Sequence, residues 1–137
     1  MKKIYEELAL AAKSARDSAY SPYSGYTVGA ALLTKSGKIY LGSNIENASY
    51  SLTMCAERTA IFKAVSDGER EFSAIAIAGA KAGEEVSGPF APCGSCRQVL
   101  SEFSSADTAV IVVTADGYDI YTIGELLPEG FGKKDLV

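Results

Sequence analysis

The sequence predicts a three-layer α/β/α sandwich built on a mixed sheet of about five strands. Helical and strand patterns follow one another in the order helix, two strands, helix, strand, helix and two strands. Two of the expected strands, at residues 72–80 and 109–113, are almost entirely apolar, which is typical of strands covered on both faces. A length of 137 residues fits one compact domain, so we expect residues 1–137 to form a single unit.

The first half of the chain carries the signals of a helix, a strand hairpin and a second helix. Apolar residues recur at helical spacing between Ile4 and Ala15, and Ser21-Pro22 ends this segment. Ser36-Gly37 marks a turn between two strands, and Thr53 can cap the helix that follows a polar loop. These signals predict a helix over 4–19, strands over 26–34 and 38–42, and a helix over 54–66.

The second half of the chain predicts a strand, a helix and a strand pair. Asp67-Gly68 ends the preceding helix, and the two glycines within 81–91 indicate a loop. Thr122 followed by Glu125 has the pattern of a capping box for a short helix. These signals predict a strand over 72–80, a helix over 92–103, strands over 109–113 and 118–121, and a short helix that ends at Pro128.

The composition excludes several classes of protein. Apolar residues make up 47% of the chain, which is too many for a disordered chain, and they are too evenly spread for a membrane span. The net charge is −4, and no cluster of basic residues is present to bind nucleic acid. The start of the chain lacks the apolar run of a signal peptide, and three cysteines cannot all pair, so we expect free thiols in the cytoplasm.

Two short segments, Cys55-Ala56-Glu57 and Pro92-Cys93-Gly94-Ser95-Cys96, carry the chemistry. Each lies at the expected N-terminus of a helix, where exposed N–H groups stabilise thiolates. Three thiolates brought together suit Zn²⁺. Because the chain has no histidine and no fourth cysteine, the remaining zinc position is expected to hold water, which is typical of a catalytic site.

Charged residues beside these cysteines complete the expected site. We expect Glu57 to lie beside the zinc-bound water as a proton shuttle and not as a ligand. Three thiolates on Zn²⁺ leave a formal charge of −1, which would make that water a weaker acid. Arg58 lies about one turn after Cys55 and can donate hydrogen bonds to the sulfurs, and Arg97 could do the same from beside Cys96.

Other interpretations of the cysteines remain open at this point. Cys93 and Cys96 have the spacing of a redox pair, the three thiols could be ordinary buried residues without a metal, and an Asp or Glu could complete a structural zinc site. Cys-Ala-Glu upstream of Pro-Cys-x-x-Cys is more specific, because it matches the signature of the zinc nucleobase deaminases with cysteine in place of histidine.

From Ala19 to Pro128 the sequence resembles the small, homotetrameric, three-cysteine cytidine deaminases. The resemblance implies that Cys55, Cys93 and Cys96 hold one zinc per subunit in a single catalytic domain of cytidine deaminase-like fold. Zinc-bound hydroxide would then attack C4 of cytidine or 2′-deoxycytidine, with Glu57 as proton shuttle, to give the uridine product and ammonia in pyrimidine salvage. The blocks that carry the resemblance are residues 42–50, 55–60 and 92–98.

The resemblance also implies a nucleoside pocket. Asn44 and Glu46 match a ribose-binding pair, although as sequence alone they could equally be a solvated loop. A carboxylate near the sugar repels phosphate, which favours nucleosides over nucleotides. The backbone of Ala56 would read the pyrimidine edge, the Ala91 carbonyl would accept from the amino group, and Tyr26 stands beside the base, where the family usually has Phe.

Residues from neighbouring subunits would complete each pocket. Tyr50 and Phe131 match aromatic residues that members of this family place at a neighbour's site, so the resemblance implies a homotetramer. The alternative for Phe131 is packing of the tail within its own subunit.

Three rival functions are weaker. A deaminase of the blasticidin type shares the cysteine blocks, but Asn44-x-Glu46 argues against it. A polynucleotide-editing deaminase is disfavoured by the acidic charge. A zinc or thiol module without catalysis does not account for Glu57 beside an incomplete ligand set.

Overall fold

The structure, a computed structural model, describes residues 2–136. Within these residues, four α-helices and five strands follow one another in the expected order. Short 3₁₀ turns lie at Arg16–Ser18, Tyr50–Leu52 and Lys133–Asp135. The main elements are α1 (Lys2–Ala15), β1 (Tyr26–Thr34), β2 (Ile39–Ser43), α2 (Ala56–Ser66), β3 (Phe72–Lys81), α3 (Gly94–Glu102), β4 (Ala109–Val113), β5 (Tyr118–Thr122) and α4 (Ile123–Leu126).

The five strands form one mixed sheet in the order β2-β1-β3-β4-β5. β3 and β4 run parallel, and the other neighbouring pairs are antiparallel. The parallel pair requires a crossover, which α3 supplies. The predicted mixed five-stranded sheet is therefore confirmed.

The helices cover both faces of the sheet. Leu32, Ile77 and Val112 pack in one core cluster with residues of α2 and α3, and the helix residues of that cluster include Ala60 and Leu100. The residues next to them along each strand face the other way, because side chains alternate across a sheet. These strand residues, which include Ala31, Ala76 and Ile111, form the second core cluster with Leu8 and Ala12 of α1. The three-layer prediction is confirmed.

Two glycines allow helices to touch the backbone of the sheet. A Cβ at Gly29 would lie 2.0 Å from the carbonyl oxygen of Ala12 in α1. A Cβ at Gly42 would lie 2.4 Å from the carbonyl oxygen of Ala56, the first residue of α2. Because neither position has space for a side chain, Gly42 sets how closely the start of α2 approaches the sheet.

α2 and α3 each begin two residues later than the sequence predicted. α2 begins at Ala56 with Cys55 in extended conformation at the N-cap position, and α3 begins at Gly94 with Cys93 in the same role. Thr53 does not cap α2, because the helix begins only at Ala56, and its hydroxyl accepts instead from the N–H of Asn47. The predicted capping box of α4 is confirmed. Within residues 2–136, no helix is both long and apolar enough to span a membrane.

Candidate active site

The three cysteines converge because α2 and α3 lie side by side on one face of the sheet with their N-termini together. The Sγ atoms of Cys55 and Cys93 are 3.9 Å apart, and those of Cys93 and Cys96 are 3.3 Å apart. All three sulfurs lie within 4.8 Å of one another, and all are free thiols. The structure thus brings together the ligand set that the sequence predicted.

The spacing of the sulfurs fits a tetrahedral metal site. Zinc–sulfur bonds of about 2.3 Å at tetrahedral angles separate neighbouring sulfurs by about 3.8 Å. The two measured separations bracket that value. Three soft donors leave one position of a tetrahedron for another ligand, which is the arrangement of a catalytic zinc centre and not of a closed structural one.

Arg58 lies against the sulfurs. Its Nη2 atom is 3.5 Å from the Sγ of Cys55, as the helical spacing predicted. Hydrogen bonding by the Cys96 thiol and then by Arg58 lowers the pKa of Cys55 to about 5. The Cys96 thiol, which donates to Cys55 and is buried, has its pKa raised. The cluster therefore stabilises a thiolate at Cys55 even before a metal binds.

Glu57 is buried in the first turn of α2, with 5% of its surface exposed. Burial is the main cause that raises its pKa to about 7, and the charge of Cys55 acts in the same direction. A carboxyl group with a pKa near neutrality can both accept and release a proton at physiological pH. This is the property that a proton shuttle needs. Cys55 and Cys96 both affect the pKa of Glu57, so the carboxyl lies near the sulfurs, and Glu57 is not one of the three clustered ligands.

Asn44 is a buried link between the loop after β2 and the start of β1, and not a solvated loop residue. Its Oδ1 atom accepts from the N–H of Val28, and its Nδ2 atom donates to the carbonyl of Tyr26, both at 2.9 Å. One Nδ2 hydrogen remains for a further partner.

Glu46 organises the turn that precedes β1. Its Oε1 atom accepts from the N–H groups of Tyr23 and Ser24, each at 3.0 Å, and its Oε2 atom accepts from the Ser24 hydroxyl. These bonds, the Ser24 hydroxyl first, lower the pKa of Glu46. The charged form of Glu46 is thus favoured, and its oxygens have lone pairs left for a ligand.

Tyr26 and Ala91 lie on two segments that the ring of Phe90 connects. Tyr26 opens β1 and is 38% exposed, and Ala91 is exposed immediately before the buried Pro92. The ring of Tyr26 contacts that of Phe90, with centroids 5.9 Å apart. Sequence reasoning missed Phe90. The available signal was an aromatic residue inside an otherwise polar loop, next to the cysteine motif.

Arg97 corrects one expectation. Its Nε atom donates to the carbonyl of Pro92 at 2.7 Å, and its Nη1 atom donates to the carbonyl of Leu126 at 2.9 Å. Across the described residues, none of its hydrogen bonds goes to a sulfur. Arg97 therefore ties the segment before Cys93 to the end of α4.

Tyr50 and Phe131 lie at the surface. Tyr50 is 73% exposed and meets Tyr23 edge to face, with centroids 5.9 Å apart. Phe131 is 59% exposed, and its backbone carbonyl accepts from Gln98 of the same chain at 2.9 Å. The tail therefore rests on its own subunit through the backbone, while the Phe131 ring is free to contact another molecule.

Two surface depressions lie away from the sulfurs. One, of about 770 Å³, is lined by Tyr40, Phe62 and Lys63 on the outer side of α2. The other, of about 830 Å³, runs between the end of α3 and the chain segment around Lys133. Neither is lined by a cysteine.

Three cysteines gathered at two helix N-termini, with a buried glutamate two residues after the first of them, match the signature of the zinc nucleobase deaminases. Residues 2–114 match the family model described as the cytidine and deoxycytidylate deaminase zinc-binding region. The chain belongs to this family.

Individual relatives are similar over almost their whole length. A cytidine deaminase of Sporosarcina psychrophila is 49% identical over 132 residues, which cover 96% of this chain and 93% of the relative. One of Halalkalibacterium halodurans is 51% identical over 124 residues, covering 89% of each chain. The crystal structure of cytidine deaminase from Burkholderia pseudomallei superimposes with a TM-score of 0.82 at 47% identity, covering 91% of this chain and 97% of that one.

Proposed function

We propose that this protein hydrolyses cytidine and 2′-deoxycytidine to uridine and 2′-deoxyuridine, with release of ammonia. The observation that carries the proposal is the position of Glu57, a buried carboxyl with a pKa of about 7, beside three clustered sulfurs. Identities near 50% with cytidine deaminases over most of the chain support the same reaction.

Cys55, Cys93 and Cys96 would hold one zinc ion per subunit. When bound, zinc lowers the pKa of a water molecule and stabilises the charge that develops on its oxygen. Arg58 offsets the negative charge of the thiolates through its contact with Cys55.

Glu57 moves the protons of the reaction. It accepts the proton that the attacking water loses and delivers it to N3 of the pyrimidine, and it then carries the remaining proton of that water, from the hydroxyl now on C4, to the departing amine. Its low exposure keeps bulk water from competing for these protons. Its pKa lets the same group act as base and then as acid near pH 7.

Other residues orient the nucleoside. The backbone at Ala56 reads the pyrimidine edge, and the carbonyl of Ala91 accepts from the amino group at C4. Tyr26 lies beside the base. Asn44 and Glu46 bind ribose hydroxyls with the hydrogen-bonding capacity that their structural bonds leave, and the Glu46 carboxylate disfavours a 5′-phosphate by repulsion.

Residues 1–137 would act as one catalytic domain within a homotetramer, in which Tyr50 and Phe131 reach a neighbour's pocket. The exposure of both rings supports this assembly. The proposed setting is pyrimidine salvage in the cytoplasm. If the assembly is right, dilution that dissociates the protein abolishes its specific activity.

The test follows the fall in ultraviolet absorbance when purified protein is mixed with cytidine. We expect turnover of cytidine and 2′-deoxycytidine and little turnover of their 5′-monophosphates. Glu57→Ala should lower kcat by a factor of about 10² to 10⁴ while zinc per chain stays the same. Wild-type protein without turnover overturns the proposed function, and full activity of Glu57→Ala overturns the role of Glu57.

A further inference from the structure

The ring of Phe90 fills the space above Gly79. Gly79 lies in β3, and a Cβ placed there would be 2.5 Å from Cδ2 and 2.6 Å from Cγ of Phe90. Such distances exclude every residue except glycine while the ring stays in position. Phe90 also packs against the core cluster shared by α2 and α3. A residue in a long loop is therefore anchored to the sheet at one defined point.

The anchored ring faces the first residue of β1. Gly79 pairs with Val28, and Tyr26 lies two residues earlier in β1 on the same face of the sheet. The rings of Phe90 and Tyr26 have centroids 5.9 Å apart and an interplanar angle of 35°. Contact between the two rings limits where the exposed Tyr26 side chain can lie.

The same residue leads directly into the cysteine motif. Phe90 is followed by Ala91, Pro92 and Cys93, and Pro92 is buried. The carbonyl of Pro92 accepts from Nε of Arg97 at 2.7 Å. The segment 90–93 is thus fixed at one end by a ring over Gly79 and at the other by a guanidinium.

We propose that Phe90 is a positioning residue for the nucleobase. It fixes the position of Tyr26 on one side of the pocket and of the Ala91 carbonyl on the other. Both groups then contact a base whose position relative to Cys93 is defined. Phe90 acts through these residues and needs no contact with substrate. The inference rests on the proposed function, since it assigns Tyr26 and Ala91 to the base.

The first experiment compares Phe90→Ala and Phe90→Leu with Phe103→Ala. Phe103 is a matched control, because it is also a partly buried phenylalanine in the same core cluster, but it lies at the far end of α3. Partial unfolding lowers apparent kcat without changing KM, whereas a misplaced pocket changes KM. The readouts are KM and kcat for cytidine, the dissociation constant of uridine, Tm and zinc per chain.

For Phe90→Ala we expect KM for cytidine and the dissociation constant of uridine to rise about tenfold, and kcat to fall, at unchanged zinc content. Phe90→Leu fills the space above Gly79 and should recover most of the loss. Phe103→Ala should lower Tm and keep both constants within about twofold.

The second experiment is a double-mutant cycle with Gly79→Ala. The added methyl group displaces the Phe90 ring, so Gly79→Ala alone should raise KM as Phe90→Ala does. In a Phe90→Ala background the methyl group has nothing to displace, so the double variant should lose little more than Phe90→Ala alone.

Three results would overturn the inference while leaving the proposed function intact. These are unchanged KM and uridine binding in Phe90→Ala, equal changes in Phe103→Ala, or losses from Gly79→Ala and Phe90→Ala that multiply. If Phe90→Ala does not fold, Gly79→Ala decides the question, because an unchanged KM in that variant would also overturn the inference. Wild-type protein that fails to deaminate cytidine contradicts the proposed function instead.

Discussion

The Nη2 atom of Arg58 lies 3.5 Å from the sulfur of Cys55. One helix thus supplies a ligand at its N-cap and, about one turn later, a cation that contacts that ligand. Hydrogen bonding by Cys96 and then this contact with Arg58 lower the pKa of Cys55. The guanidinium is permanently charged, so it compensates the excess negative charge of a three-thiolate centre at every pH where the protein is folded.

Arg58→Gln should weaken zinc binding about tenfold and move the acid limb of the pH–rate profile to higher pH. Without the guanidinium the pKa of Cys55 rises, so protons compete better with the metal as pH falls. Competition with a chromophoric chelator between about pH 5 and pH 8 measures the affinity. Arg97→Gln is the matched control, because its guanidinium contacts carbonyls, and it should leave the pH dependence of affinity unchanged. Wild-type affinity and an unshifted profile in Arg58→Gln would remove its role.

Glu46→Gln should make the protein less stable at neutral pH but not in acid. Hydrogen bonds from Ser24 and Tyr23 lower the pKa of Glu46 below its ordinary value of 4.5, so the folded state favours the carboxylate. That stabilisation is complete above about pH 4.5 and is lost as pH falls through the lower pKa of the folded state. Thermal melts without substrate should show a gap in Tm between wild type and variant at pH 7 that narrows below about pH 4. A gap that stays constant with pH would mean that the charge of Glu46 is not involved.

The cysteine motifs were predictable because their chemistry is local. Cys55 and Cys93 stand at helix starts, and two such starts on one sheet face need only pack side by side to bring the sulfurs together. The layers were predictable for a similar reason, since apolar runs fix which strands are buried.

The remaining parts of the site depend on contacts between distant segments. Nothing near Arg97 in sequence indicates that the carbonyl of Leu126 will accept its hydrogen bond. Likewise, the double link from Asn44 to β1 depends on strand pairing. The contact between Phe90 and Gly79 cannot be read from the sequence, because only the fold brings the two residues together. Sequence reasoning therefore gave Arg97 the wrong hydrogen-bond partners, and it missed the contacts that Asn44 and Phe90 make with the backbone of other elements.

Gly42→Ala and Gly29→Ala should separate stability from function. Both substitutions press a methyl group against a helix carbonyl and should cost about 1–3 kcal/mol of unfolding free energy. Only Gly42 contacts the start of α2, next to Cys55, so Gly42→Ala should also lower zinc affinity and kcat. Gly29→Ala moves α1 on the opposite face and should lower Tm alone. Urea unfolding, metal analysis and kinetics on both variants check this, and parallel losses of activity would contradict the assignment.

Removal of the metal should make the three thiols react faster with an alkylating reagent, with Cys96 reacting last. Zinc would occupy all three sulfurs and protect them, so we expect slow alkylation of the protein as purified and fast alkylation after exhaustive chelation. In the chelated protein, hydrogen bonding by Cys96 and Arg58 lowers the pKa of Cys55 and favours its thiolate, while Cys93 is the exposed thiol. Cys96 is fully buried and its pKa is raised, so it should react last.

Peptide mapping by mass spectrometry after short exposure to iodoacetamide shows the order of alkylation. Deamination of cytidine should disappear in parallel with chelation and return with added zinc. Chelated protein that keeps full activity, or alkylation that begins at Cys96, would show that the three sulfurs do not form one metal centre.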